Sequence, residues 1–386
     1  MKKHHFIWIV LICLSTGPLG AQFDVIHNFK KSNGSEPTGS LVYYNGLFYG
    51  LAQYGGVFDL GCIFSMRPDG SCYVDEFDFK GENGAVPQRS LTLSGDMLYG
   101  TTNSGGENIY GNIFSFDPEN NKYTNIFYFN GIQGKYPYGN VTVCGKTIYG
   151  MTQAGGKYFK GNIFAVDTDG NQYEDLHDFA DTDGLGDGGF GSLTLVGNKL
   201  FGMTYNGGKH SDGYIFSVDT NGRKFLELFD FNGKNGKGPQ GDLAVYGNKF
   251  YAMTRKGGAS NYGCLFSIDT NGRTGYKDIH DFNLKDGGEP YDNVILVANK
   301  LFGMTEDAGE YGHGLIFSVD TSGNAYTDLT DFNGVNTPAG KSPYGGLTFL
   351  KNKIYGMTEY GGMNNQGVIF RLDTISRLKE LTFTMK

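Results

Sequence analysis

The sequence predicts an all-β fold, a seven-bladed β-propeller of four-stranded blades, and three observations predict it. A segment of the type Tyr-Gly-Met-Thr followed by Gly-Gly recurs seven times, anchored at Gly50, Gly100, Gly150, Gly202, Ala252, Gly303 and Gly356. The period of 50 to 53 residues is that of propeller blades, longer than the repeat of a leucine-rich coil. Glycine, 62 residues in all, is spread along the chain instead of gathering in a linker, and no long segment carries helical periodicity.

Each repeat predicts four short strands, a to d, separated by turn signals. Strand a alternates apolar and polar residues, as in Ser90–Leu93 and Ser192–Leu195. A two-residue connection such as Gly197-Asn198 or Gly247-Asn248 leads into strand b, Lys199–Thr204 or Lys249–Thr254. After Gly207-Gly208 and a variable loop, strand c follows as Gly213–Asp219, whose Ile-Phe run predicts burial on both faces. An Asp-Thr-Asn-Gly turn then leads to strand d, which closes on Asp230-Phe231. That closing Phe recurs eight times, at Phe29, Phe79, Phe129, Phe179, Phe231, Phe282, Phe332 and Phe383, whereas the other strands have seven copies. The surplus copy, Phe23–Phe29, precedes the first strand a and is expected to join the last blade and close the ring. Leu378–Phe383 competes for the same outer place, and the sequence leaves the choice open.

The Tyr-Gly-x-Thr…Gly-Gly and Ile-Phe-Ser-x-Asp segments, running from residue 23 to 383, resemble the GloVer-type tandem repeat family, the choice-of-anchor proteins of bacterial cell exteriors. The resemblance implies export and a propeller-like fold, and it carries no catalytic residues over. Members often end in a sorting region, whereas the last repeat here runs almost to Lys386, which leaves surface attachment open.

Residues 1–21 read as a cleavable signal peptide: Lys2 and Lys3, an apolar run from Phe6 to Leu14, then a small-residue exit at Gly20-Ala21. The expected mature chain, 22–386, is a single seven-repeat domain, secreted or periplasmic, monomeric and without a transmembrane segment. Losing the two lysines takes the formal charge from −8 to −10, which argues against nucleic acid as a partner. Cys62, Cys72, Cys144 and Cys264 match no zinc spacing, and Cys62 and Cys264 occupy one position in different repeats, so no obligatory bridge is expected.

Propeller topology sends the short, uniform a–b and c–d turns to one face and the long, varied b–c and d–a loops to the other. Binding belongs to the varied face. Directly after the Thr of strand b lies the polar series Gln53, Asn103, Gln153, Tyr205, Arg255, Glu306 and Glu359, with His210, Lys256, Asp307 and His313 in the adjoining b–c loops. Paired carboxylates, an arginine and a histidine are groups that bind or cleave polysaccharide, which makes Glu306, Glu359, Arg255, His313, His210 and Tyr205 the catalytic candidates. A second series precedes strand a: Thr38, Gln88, Tyr138, Phe190, Gln240, Tyr291 and Tyr344. Its aromatic members, with Asp307 and Lys256, are the ligand-binding candidates, because aromatic faces stack on sugar rings. Asp181, Asp183 and Asp187 resemble a calcium loop, but the pattern is incomplete and a polar turn without cofactor is expected. His27, His177 and His280 exchange with Phe127, Phe229 and Thr330 in strand d, and exchange with phenylalanine marks a packing position.

Three functions fit this reading. They are a binding module for glycan or an extracellular protein, a polysaccharide lyase or glycoside hydrolase, and a structural or adhesive envelope protein. The absence of a complete catalytic pattern places the binding module first.

Overall fold

A computed structural model describes residues 22–180, 190–334 and 340–373. In the fourth repeat strand a is Thr194–Val196, b is Lys199–Thr204, c is Tyr214–Asp219 and d is Leu226–Asp230, joined in that order into an antiparallel sheet. The pattern gives seven such sheets, arranged as a seven-bladed β-propeller. The third blade adds Lys135–Pro137, which pairs with the far end of its strand b. Strand c of the fourth blade is buried along its whole length, and strand b from its second residue onward, while strand d is half-exposed at the rim.

The Gly and Phe of the repeat exist for each other. Gly202 in strand b lies opposite Phe216 in strand c, and a Cβ at Gly202 would fall within 3.0 Å of the Phe216 ring. The same pairing joins Gly50 to Phe64, Gly100 to Phe114, Gly150 to Phe164, Gly303 to Phe317 and Gly356 to Phe370. The fifth blade sets Ala252 against Phe266 instead.

Blades hold together through side chains interleaved across each interface. One cluster joins Phe201 and Met203 of blade 4 to Phe250, Phe266 and Ile268 of blade 5. Toward the rim, the strand-d residue His27 stacks on Tyr73 of the neighbouring blade at 3.9 Å and 3°. Phe77 on Tyr123, Phe127 on Tyr173, His177 on Phe225, Phe229 on Tyr276 and His280 on Tyr326 repeat this contact around the disc. The three histidines therefore act as flat packing rings, and burial pushes the His27 imidazole down to about 4.

Closure is made by the N-terminus. Phe23–Asn28 pairs antiparallel with Val368–Asp373, the strand c of the last blade, and so occupies the strand-d place. Phe29 is fully buried. The Asn28 Oδ1 accepts the Met363 amide at 2.9 Å, as Asp230 Oδ1 accepts that of Lys209 at 2.8 Å. The competing copy, Leu378–Phe383, lies outside the described residues, as do Asp181, Asp183 and Asp187 and the N-terminal segment 1–21. Cys62, Cys72, Cys144 and Cys264 are free thiols. Among the described residues no helix is long and apolar enough to cross a membrane.

Gly202→Val should destabilise the fold by about 1–3 kcal/mol through overpacking against Phe216, read from the denaturant midpoint. Phe29→Ala should cost about 3–5 kcal/mol and lower the single unfolding midpoint. Wild-type stability in that variant would show that the N-terminal strand is dispensable for closure.

The axial mouth as candidate functional site

Strand a is the innermost strand, and the residues entering it surround the axis. One position in this approach reads Gly39, Arg89, Gly139, Gly191, Gly241, Asp292 and Gly345. A Cβ on any of these five glycines would fall within 3.0 Å of the next blade's backbone, so the glycines let neighbouring blades touch at the axis. The following residue then bonds around the ring. Ser40 N donates to Ser90 Oγ at 2.7 Å, Ser90 N to Asn140 Oδ1 at 2.7 Å, Asn140 N to Ser192 Oγ at 2.8 Å and Ser192 N to Asp242 Oδ1 at 2.8 Å. Gly346 N donates to Ser40 Oγ at 2.8 Å and links the last blade to the first.

Arg89 and Asp292, the two exceptions to glycine, shut the axis. Arg89 enters from blade 2, and its Nη2 donates to Phe190 O of blade 4 at 3.0 Å and to Gln240 O of blade 5 at 3.3 Å. Its Nη1 lies 3.9 Å from Asp292 Oδ2 of blade 6, and its guanidinium lies 4.9 Å from the Tyr138 ring and 5.2 Å from that of Tyr291. A side chain that meets four other blades lies across the centre. Arg89 is 4% exposed, Gln240 4%, Asp292 5% and Tyr291 7%, so no solvent-wide tunnel passes at this level. Burial, with Asp242 adding to it and Arg89 opposing it, pushes the Asp292 carboxyl up to about 6.

Aromatic rings meet one another at this mouth. Tyr205 meets Phe190 at 5.3 Å, Phe190 meets Tyr138 at 5.2 Å, and Tyr291 meets Tyr344 at 4.4 Å. Tyr138 and Tyr291 join hydroxyl to hydroxyl at 2.9 Å. Tyr138, Phe190, Tyr205 and Tyr344 are partly exposed, while Tyr291 is buried among them. On the side of blades 5 and 6, Arg255 donates from Nε to Glu289 Oε2 at 3.0 Å and from Nη2 to Glu306 Oε2 at 3.1 Å. Tyr344 OH donates to the other Glu306 oxygen at 2.7 Å, and Lys256 Nζ lies 3.6 Å from Glu289 Oε1.

Among the described residues Glu359 has no such cation. It is 8% exposed, and burial, with the charges of Glu36 and Glu306 adding, raises its carboxyl to about 7 against the opposing hydrogen bond from Tyr360. Burial raises Glu36 as well.

The structure thus brings Arg255, Glu306, Tyr291 and Tyr344 into direct contact, with Glu359 close enough to Glu306 for their charges to interact. It does not bring the histidines there. His210 is exposed in the b–c loop of blade 4, and His313 packs against the Gly334 backbone. Asp307 is exposed, its backbone paired with Gly288. Sequence reasoning missed Arg89, Asp292, Glu36 and Glu289. The first two were marked by breaking a glycine series. The other two precede Pro37 and Pro290 and sit at φ of 53° and 50°, which turns them toward the mouth's acidic side. An open groove of about 750 Å3 lies elsewhere, lined by Phe77, Tyr123 and Tyr128 with Lys80, Lys122 and Glu82.

The model of the Gloeobacter/Verrucomicrobia repeat matches three overlapping stretches, residues 14–146, 126–275 and 246–385. The chain belongs to that family. No curated protein matches this family member. Its fold is similar to that of oligogalacturonate lyase from Vibrio parahaemolyticus, at 9% identity and a TM-score of 0.55 over 92% of this chain and 97% of the other. It is also similar to a puromycin-hydrolysing peptidase from Mycobacterium tuberculosis, at 10% identity and a TM-score of 0.56 over 86% of this chain and 50% of that one. The chain spans only 27% of the tricorn protease, against 83% of its own length, at 11% identity and a TM-score of 0.46. At such identities the likeness is one of fold alone.

The raised Glu359 carboxyl sets a pH dependence. Its folded form holds a proton that the unfolded form releases near pH 4.5, so the stability it contributes is complete below that value and is lost as pH rises through about 7. Glu359→Gln should remove this share, so that the stability of the variant relative to wild type increases between pH 4.5 and 7. A constant difference between the two chains across that window would contradict the assignment.

Proposed function

We propose that the chain, freed of residues 1–21, is a monomeric binding module of the cell exterior that holds a saccharide at its axial mouth without turning it over. The observation that carries this reading is the set of partly exposed rings, Tyr138, Phe190, Tyr205 and Tyr344, gathered over a closed floor. The C–H faces of a sugar lie flat on the negative face of an aromatic ring, and tyrosine adds a polar handle. Glu306, bonded to Tyr344, and Arg255, which lies over Tyr291, border these rings as hydrogen-bonding groups for hydroxyls. The acidic balance and the carboxylates at the mouth disfavour nucleic acid and uronate-rich chains, because each like charge raises the cost of approach.

Hydrolysis is the second reading, and one observation favours it. A carboxyl raised to about 7, as in Glu359, is poised as a general acid near neutral pH. Against it, Glu306 is held by Arg255 and Tyr344, Glu36, whose charge acts more strongly on Glu359, shares the Tyr360 hydroxyl with it, and neither His210 nor His313 is in contact with Glu306 among the described residues.

The test is calorimetry of the purified chain against a panel of neutral and uronate-rich polysaccharides, with reducing ends and ultraviolet absorbance followed in parallel. The expected result is binding to a neutral polymer with no new reducing ends and no unsaturated product. Phe190→Ala and Tyr344→Ala should each weaken it about tenfold, the equivalent of one stacking contact. Turnover that disappears in Glu359→Gln would replace this reading with the hydrolytic one, and silence across the panel would remove both.

A further inference from the structure

One position in the b–c loop is left-handed in all seven blades. It reads Asp59, Ile109, Phe159, Ser211, Asn261, Gly312 and Asn365, at φ between 52° and 68°. Asp59, Asn261 and Asn365 suit the position, because each side-chain oxygen accepts the amide of the loop's first glycine at 3.1–3.2 Å. Gly312 has no Cβ to strain. Ile109 and Phe159 offer neither advantage. A β-branched or bulky side chain at positive φ is an outlier that local structure does not favour, and such outliers collect at functional sites.

The two exceptions are also exposed and stand on adjoining loops. Ile109 is 68% and Phe159 78% exposed. Between their loops runs the d–a loop of residues 130–137, where Gly131 O accepts the Gly156 amide at 3.0 Å and Tyr136 N donates to Tyr110 O at 2.9 Å. That loop presents Ile132, 80% exposed, and Val57 and Phe58 continue the apolar series onto the b–c loop of blade 1. The same loops of blades 4 and 5 present Lys209, His210 and Asp212, then Ala259 and Ser260, so the apolar arc occupies one sector of the face.

Exposed apolar patches mark contacts with proteins or membranes, and the chemistry here selects between them. Isoleucine and valine give a sugar no flat ring to stack on, so the arc is not an extension of the saccharide site. Each side chain is a separate knob on its own loop. A folded partner needs a pocket matched to each knob, whereas a fluid bilayer interface admits knobs at any spacing. At the base of these loops Tyr110 and Tyr136 are half-buried, and the Lys135 ammonium lies 5.6 Å and 5.3 Å from their rings. The Lys157 ammonium lies 4.9 Å from the Tyr158 ring. Aliphatic tips backed by tyrosine and lysine match the order of a bilayer interface, from acyl chains to phosphate.

We propose that this arc is a membrane-docking surface: Phe58, Ile109, Ile132 and Phe159 enter the interfacial layer of a phospholipid bilayer while Lys135 and Lys157 meet its phosphates, so that the face bearing the mouth is held toward the membrane. The inference stands independently of the saccharide reading.

The experiment floats the purified chain from residue 22, which holds every described strand, with vesicles of phosphatidylethanolamine and phosphatidylglycerol. The expected result is saturable binding that Ile109→Asn and Phe159→Asn each weaken about tenfold, and the pair about a hundredfold. Asparagine holds the same position in blades 5 and 7, so neither variant should lower the thermal midpoint. Phe159→Trp should keep the binding. Trp8 is the only tryptophan of the sequence and is absent from the tested chain, so the new indole reports alone and its emission should shift to the blue on vesicles. Absence of wild-type flotation, or an indole emission that vesicles do not move, would overturn the inference. A lowered midpoint in both asparagine variants would assign the two residues to the loop itself and overturn it too. A dimer that these variants dissociate, without vesicle binding, would give the arc to a second copy of the chain instead.

Discussion

The close approach of adjacent backbones at the axis is the constraint on which the rest of the molecule depends. Gly39, Gly139, Gly191, Gly241 and Gly345 bring each blade's inner segment against the next, where a single methyl group on any of them would meet main-chain atoms. Only at that separation do Ser40, Ser90, Asn140 and Ser192 reach the next blade with hydrogen bonds near 2.8 Å. Side-chain hydroxyls repeat the linkage one step further in, where Thr92 donates to Val141 O, Thr194 to Leu243 O and Thr348 to Leu41 O. Net hydrogen-bond contributions are individually about 1 kcal/mol, but the run of linked bonds from blade 7 through blade 1 to blade 5 ties these blades to one another.

That tight centre also determines what the site is. With five positions reduced to glycine, two large side chains fit, and Arg89 and Asp292 fill the axis from different blades. The same arrangement that strengthens the ring converts a tunnel into a floor. The aromatic residues one position earlier in the chain are thereby held above that floor, where their rings meet edge to face and Tyr138 bonds to Tyr291 across the centre. Scaffold and site share their residues, and this differs from the common division between a rigid frame and independent loops.

The outer part of the disc obeys different rules. Flat stacking at the rim accepts His or Phe in strand d against Tyr or Phe of the next blade, with polar contacts beside it, as where Tyr73 OH donates to Asn33 O at 2.6 Å and His280 Nε2 lies 3.3 Å from Asp286 Oδ2. Closure by Phe23–Asn28 joins the two ends of the described chain in one sheet, so the last blade is complete only when the N-terminal strand is in place. Chemistry is uneven at the mouth, where Arg255 neutralises Glu289 and Glu306 while Glu359 keeps its proton toward neutral pH.

Local pattern was enough for the blade itself. The seven Tyr-Gly-x-Thr and Ile-Phe-Ser-x-Asp copies placed strands b and c, their burial and their turns, because each blade buries the same residues against the same neighbours. The substitution of His by Phe at His27, His177 and His280 likewise announced a packing role. Two things were beyond its reach. It offered two strands for one closing place, since both carry the strand-d pattern and only the three-dimensional pairing with Val368–Asp373 distinguishes them. It also could not show that Arg89 meets Phe190, Gln240 and Asp292, residues as many as 203 positions away, because contacts across the axis exist only once all the blades have closed.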